Sequence, residues 1–240
     1  MTASTTTTPT TGTRTRRAPL WALKLVMSVT GMIWAFFVLV HLFGNLKIYF
    51  GAAGFDHYAH WLREIGYPLI PHEGVLWALR ITLIVALVAH VTAAVLLLRR
   101  SREARGGVRA RRTGSQMWFA TFMLPTGLIL LAFLVLHVFD MTLGVQPAAP
   151  ADFTAATDGG SPAANLVASL SRPWAAIAYA VAMLAAAAHV AHGALLAVND
   201  LGATGATVRR VAVWVGALAA IAILLGNASI PVAVLTGVLS

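Results

Sequence analysis

Five long apolar runs constrain this chain more than any other feature. They extend over about 21–43, 74–98, 117–142, 174–198 and 209–235, and carry few charges between their ends. At about 1.5 Å of rise per residue, a run of this length crosses a hydrocarbon core of about 30 Å as a helix. Lipid offers the backbone no hydrogen-bond partners, so a chain made of such runs must satisfy its amides internally. The expected fold is all-α: an integral membrane bundle of five transmembrane helices over residues 20–240. The preceding residues, 1–19, are threonine-rich and poor in apolar side chains, which reads as a disordered cytoplasmic tail. The apolar stretch after that tail is too long for a signal-peptide core and lacks a small-residue cleavage pattern.

Composition agrees, with 59% hydrophobic and 10% charged residues, too little polar surface for a soluble domain. The absence of cysteine excludes disulfides, thiolate metal sites, cysteine-held iron–sulfur clusters and a covalently attached c-type haem. A net charge of +9 suggests nucleic acid only until its placement is read. Arg14, Arg16, Arg17 and Lys24 precede or enter the first run; Arg99, Arg100, Arg102, Arg105, Arg109, Arg111 and Arg112 crowd one linker; Arg209 and Arg210 open the last run. Positive charge concentrated on alternate connections puts the N-terminus and those linkers in the cytoplasm and the C-terminus outside. No aromatic residues interleave the arginines as stacking platforms, so nucleic acid is not an expected partner.

Within this apolar frame stand four histidines, His41, His90, His137 and His189, one in each of the first four runs. An ionisable side chain at membrane depth is costly, so each asks for a function. Counting along each helix places His41 and His137 toward the outside and His90 and His189 toward the cytoplasm, in two pairs matched in depth. Within a pair, the two helices run in the same direction across the membrane. Imidazole is a haem ligand, and an electron-carrying b-type haem takes one from each side, so the four histidines read as axial ligands of two stacked haems. His192, one turn beyond His189, is a rival ligand that depth alone does not reject. Gly31 and Gly127 each precede a histidine by ten residues, leaving room for a macrocycle or for ordinary helix packing.

The connection after the first run reads HLFGNLKIYFG and then AAGFDHYAHWLREIGYPLIPHEG, with aromatic residues suited to the membrane interface. His57, His60, Glu64, His72 and Glu73 make it the densest set of protonatable groups, although each taken alone reads equally as part of a solvated loop. Quinone reduction couples two electrons to two protons and needs such groups nearby. Arg80, inside the second run, must snorkel or find a partner, a haem propionate being one. The third run holds Pro125, expected to kink it, and ends in a Pro-, Ala- and Gly-rich outer loop of about 144–172, with a short surface helix over NLVASLSR. The alanine-rich fourth run belongs in the middle of a bundle, and Asn227 and Pro231 of the fifth are assigned no chemistry. A weak likeness between the first and third runs hints at an internal repeat.

HLFGNLKIYFG, FDHYAHWL, LPTGLILLAFLVLHVFDMTLG and HVAHGALLAVNDLG together resemble the cytochrome b subunit of succinate dehydrogenase and fumarate reductase complexes, in its five-helix, two-haem form. The resemblance covers about Trp21 to Gly202. It implies a membrane anchor for a flavoprotein subunit with FAD and an iron–sulfur subunit on the cytoplasmic face, passing electrons through two b haems to menaquinone near the outer face of the cell membrane. Higher oligomers of such a complex are compatible with it. It also implies that His41, His90, His137 and His189 ligate iron. His189 is favoured by the HxxxG pattern formed with Gly193, with His192 near the ring or its propionates. Glu64 is the implied quinone proton donor, with Glu73 as the alternative. Two other readings stay in view: a dihaem cytochrome b of hydrogenase or formate dehydrogenase type, and a haem-free transporter or anchor whose histidines relay protons.

Overall fold

A computed structural model of the chain describes residues 17–105, 115–203 and 205–240, with backbone alone at 105 and 115–120. Most of the expected tail, and Arg14, Arg16, Arg109, Arg111 and Arg112, lie outside the described residues. Among the described residues five helices are long and apolar enough to cross a membrane: α1 (Leu20–Asn45), α3 (Gly74–Arg105), α4 (Ser115–Val138), α6 (Pro173–Asp200) and α7 (Ala206–Leu235). They alternate in direction. This brings Arg17, Lys24, Arg99, Arg100, Arg102, Arg209 and Arg210 to one end of the bundle, called here the basic face.

Side chains as large as Phe36, Val85, Ile177, Leu218 and Leu225 point outward and are mostly exposed. That is unfavourable in water and neutral in lipid, which is as apolar as they are. Helix association must then come from close approach. The alanine-rich α6 supplies it, burying Ala175, Ala176, Ala182, Ala185, Ala186, Ala187 and Ala197 and packing against α1, α4 and α7. At Gly216 of α7 an added Cβ would lie 2.9 Å from the Ala194 Cβ and 3.1 Å from the Ala191 carbonyl. Lys24 pairs with Asp200 at 2.9 Å and Arg17 with Glu103 at 2.7 Å, tying helix ends together at the basic face.

The opposite face is more structured than its sequence suggested. A 3-10 turn (Leu46–Phe50) prolongs α1, and the connection that read equally as loop forms α2 (Ala52–Glu64). The periodicity of that stretch was masked by its glycines and its mixture of aromatic and polar residues. A further helix, α5 (Pro162–Leu170), matches the short helix expected there but starts earlier. It is packed in rather than lying on the surface: Ala163, Leu166 and Leu170 join Ile48, Ile230 and Val234 in a small apolar core. Asp56 of α2 accepts from Ser161 Oγ and from the Ala163 amide, so one connection at this face caps the helix of the other. Asn45 donates to Asn227 at 3.0 Å, giving that residue of α7 a structural task against α1.

Candidate functional site

The bundle brings the four histidines together in the expected pairs. The His41 and His137 ring centroids are 5.9 Å apart and those of His90 and His189 are 6.4 Å apart. Gly31 and Gly127 face the rings of His90 and His189, ten residues before His41 and His137, so the two pairs sit about 15 Å apart along the helices. The pair nearer the basic face, His90 with His189, is the inner pair.

Each inner ring is held by the helix that carries an outer histidine. Thr30 Oγ1 donates to the Val26 carbonyl at 2.6 Å and lies 3.1 Å from His90 Nδ1. That nitrogen is also 3.1 Å from the Met27 carbonyl, which only accepts, so His90 carries its proton on Nδ1. Across the bundle Thr126 Oγ1 donates to the Phe122 carbonyl at 2.6 Å and, its proton committed there, accepts from His189 Nδ1 at 3.1 Å. A Cβ on Gly31 would stand 3.2 Å from His90 Cε1, and one on Gly127 3.4 Å from His189 Cε1. The same Thr-Gly device therefore occurs twice, at the same distance before His41 and before His137, and the hint of a repeat becomes a shared geometry.

The outer pair is held differently. His137 Nδ1 is 3.2 Å from the Tyr179 hydroxyl, which donates to Asp140 Oδ2 at 3.0 Å and so accepts from the imidazole. Asp140 is 1% exposed and also receives Ser169 Oγ and, at 2.9 Å, Arg172. It reaches this position because α4 widens after His137 into a π-helical turn, Phe139–Leu143, which rotates the carboxylate inward. Phe37 stacks on His41 at 5.5 Å between centroids. In three of the four histidines Nδ1 is thus bound as a donor and Nε2 keeps its lone pair, as a metal-binding imidazole needs.

The spacing of the paired imidazoles matches that of haem ligands. With metal–imidazole bonds of about 2 Å, two rings facing each other through an iron have centroids somewhat over 6 Å apart, close to both observed separations. Among the described residues no group of three or more His, Asp or Glu side chains is placed to hold a bare metal ion, so two-ligand sites suit a macrocycle that brings its own nitrogens. Trp34, on the face of α1 that carries Gly31 and His41, has a buried indole N–H without an acceptor among the described residues. These observations fit a haem at each pair.

The remaining predicted residues are placed as follows. Arg80 lies 3.9 Å from Glu73 and over the Trp77 ring, so it has a protein carboxylate as partner. Glu73 is engaged a second time by Arg63 at 3.1 Å and its side chain is 17% exposed. Glu64, 51% exposed, lies 3.6 Å from His60. It shares a face of α2 with His57 and Trp61, which line an open cleft of about 460 Å³ with Phe43, Lys47, Gly54 and Tyr58. His192 is half-buried near His189. Tyr179, Asp140, Ser169, Arg172, Thr30, Thr126 and Trp34 were not singled out from the sequence. The available signals were a charged residue inside an apolar run and a threonine before each flagged glycine.

A profile of the succinate dehydrogenase/fumarate reductase transmembrane subunit family matches residues 99–226, more than half of the chain. The chain belongs to this family. The matched segment of this succinate dehydrogenase/fumarate reductase subunit takes in His137, Asp140, Arg172, Tyr179 and His189, while His41 and His90 precede it. The subunit is a multi-pass membrane protein, and its family associates with flavoprotein and iron–sulfur subunits in an oxidoreductase complex. Neither a curated protein nor a solved structure matches the chain.

Proposed function

We propose that this chain is the dihaem anchor of a succinate:menaquinone oxidoreductase, with its N-terminus and basic face in the cytoplasm and its C-terminus outside. His90 and His189 hold the inner haem, and His41 and His137 the outer one. When bound, the haems supply one-electron carriers at two depths between a cytoplasmic iron–sulfur subunit and a quinone near the outer face. The observation that carries the reading is the pair of facing imidazole couples, three of whose four rings are held through Nδ1 so that Nε2 keeps its lone pair.

The chain's own residues do the rest. Thr30, Thr126 and Tyr179 orient the imidazoles, and the glycines leave a flat cofactor its space. Arg17, Lys24 and the arginines at the end of α3 offer a cationic surface to the partner subunits. At the outer face the aromatic cleft beside α2 has the size and lining of a small-molecule site, and Glu64, on the same helical stripe and exposed, is the group to hand a proton to menaquinone. Glu73 serves this role less well, because two arginines occupy it. Taking protons from outside while electrons arrive from inside lets the membrane potential drive the reaction, at about 2.3 kcal/mol per charge per 100 mV.

A reduced-minus-oxidised spectrum of the purified complex, with a haem count, tests the reading: two b-type haems are expected per chain, and no haem band refutes it. Glu64→Gln is expected to keep both haems and to slow quinone reduction by about 10²-fold. In coupled membranes succinate oxidation is expected to respond to an uncoupler, and indifference would count against the proposed proton route.

A further inference from the structure

His137 stands apart from the inner ligands in what accepts its Nδ1 proton. His90 leans on a threonine hydroxyl and a peptide carbonyl, and His189 on a threonine hydroxyl. For His137 the acceptor is a phenol whose own proton is directed at a carboxylate. We propose that Asp140, acting through Tyr179, is a positioning and tuning residue that makes His137 the more electron-donating imidazole and lowers the midpoint potential of the outer haem. The inference rests on the two-haem reading.

The physical basis is a polarised chain of hydrogen bonds. A phenol that donates to a carboxylate becomes a stronger acceptor, so it draws the Nδ1 proton of His137 outward and leaves more negative charge on the ring. A more anionic ligand favours ferric over ferrous iron. Burial of Asp140 keeps water from screening this effect. Arg172 offsets the charge only in part, since it binds Oδ1 while Tyr179 and Ser169 share Oδ2. Phe133 packs edge-on against Tyr179 at 4.9 Å and keeps the phenol from swinging away.

Ser169 makes the test two-sided. It competes with Tyr179 for Oδ2, so removing it turns more of the carboxylate toward the phenol. Potentiometric titration of the whole complex in its membrane is the assay, with the outer haem identified as the one missing from His41→Ala. Tyr179→Phe is expected to raise the outer haem's midpoint by about a tenfold change in its oxidised-to-reduced ratio, which for one electron is about 59 mV. Ser169→Ala is expected to lower the same midpoint, and the inner haem stays put in both. Unchanged midpoints, shifts of equal sign, or a shift confined to the inner haem overturn the relay. If Tyr179→Phe sheds the haem, Ser169→Ala decides alone. Wild-type complex without haem rejects the two-haem reading itself, whereas two haems with unmoved potentials reject the relay only.

Discussion

Replacing Thr126 with valine tests how the inner pair is held. The substitution keeps the branched shape and removes one oxygen. Among the described residues His189 Nδ1 has no second acceptor, so the N–H of this half-buried ring is left unpaired, at about 1–3 kcal/mol. At about 1.4 kcal/mol per factor of ten, retention of the inner haem should weaken by roughly 5- to 150-fold. Thr30→Val provides the control. His90 keeps the Met27 carbonyl at 3.1 Å, so its N–H stays satisfied and the loss should stay within about threefold, the low end for one net hydrogen bond. The assay is haem content by difference spectroscopy as complex is washed in detergent, with the outer haem as internal standard. Equal losses in the two variants, or full retention in Thr126→Val, would refute the argument that Nδ1 satisfaction fixes these ligands.

Other outcomes follow from the same geometry. His41→Ala and His90→Ala should each lose one haem, and a different one, as counted by haem extraction. Gly216→Leu drives a side chain into Ala194 and the Ala191 carbonyl, so it should destabilise the α6–α7 contact by about 1–3 kcal/mol or more, read as a lower thermal midpoint in detergent. Arg172→Gln leaves Asp140 buried without its cation; the expected cost is about 3–5 kcal/mol, seen as reduced yield of folded complex, and Asp140→Asn added to it should restore part of the loss.

Much of this architecture was legible because membranes restrict the choices. Apolar run length alone set five spans, since only helices of that length satisfy their backbone in lipid, and helical rise alone sorted His41 and His137 from His90 and His189 by depth. Arginine placement separated the two faces. Gly31 and Gly127 are visible in the sequence as notches, though not what they face. What remained hidden depends on azimuth and on contacts distant in sequence. Thr30 meets His90 across two helices, and Asp140 gathers Ser169 from α5, Tyr179 from α6 and Arg172 from the turn between them. Such meetings are set by how the helices rotate against one another and by a π turn that redirects one carboxylate, neither of which a one-dimensional pattern encodes. Arg80 makes the same point in reverse: the sequence required a partner or a snorkelling path for it, and the fold supplied Glu73, itself the alternative proton donor. Depth was a property of the sequence, because a helix advances by a constant rise; partnership was decided only when the helices packed.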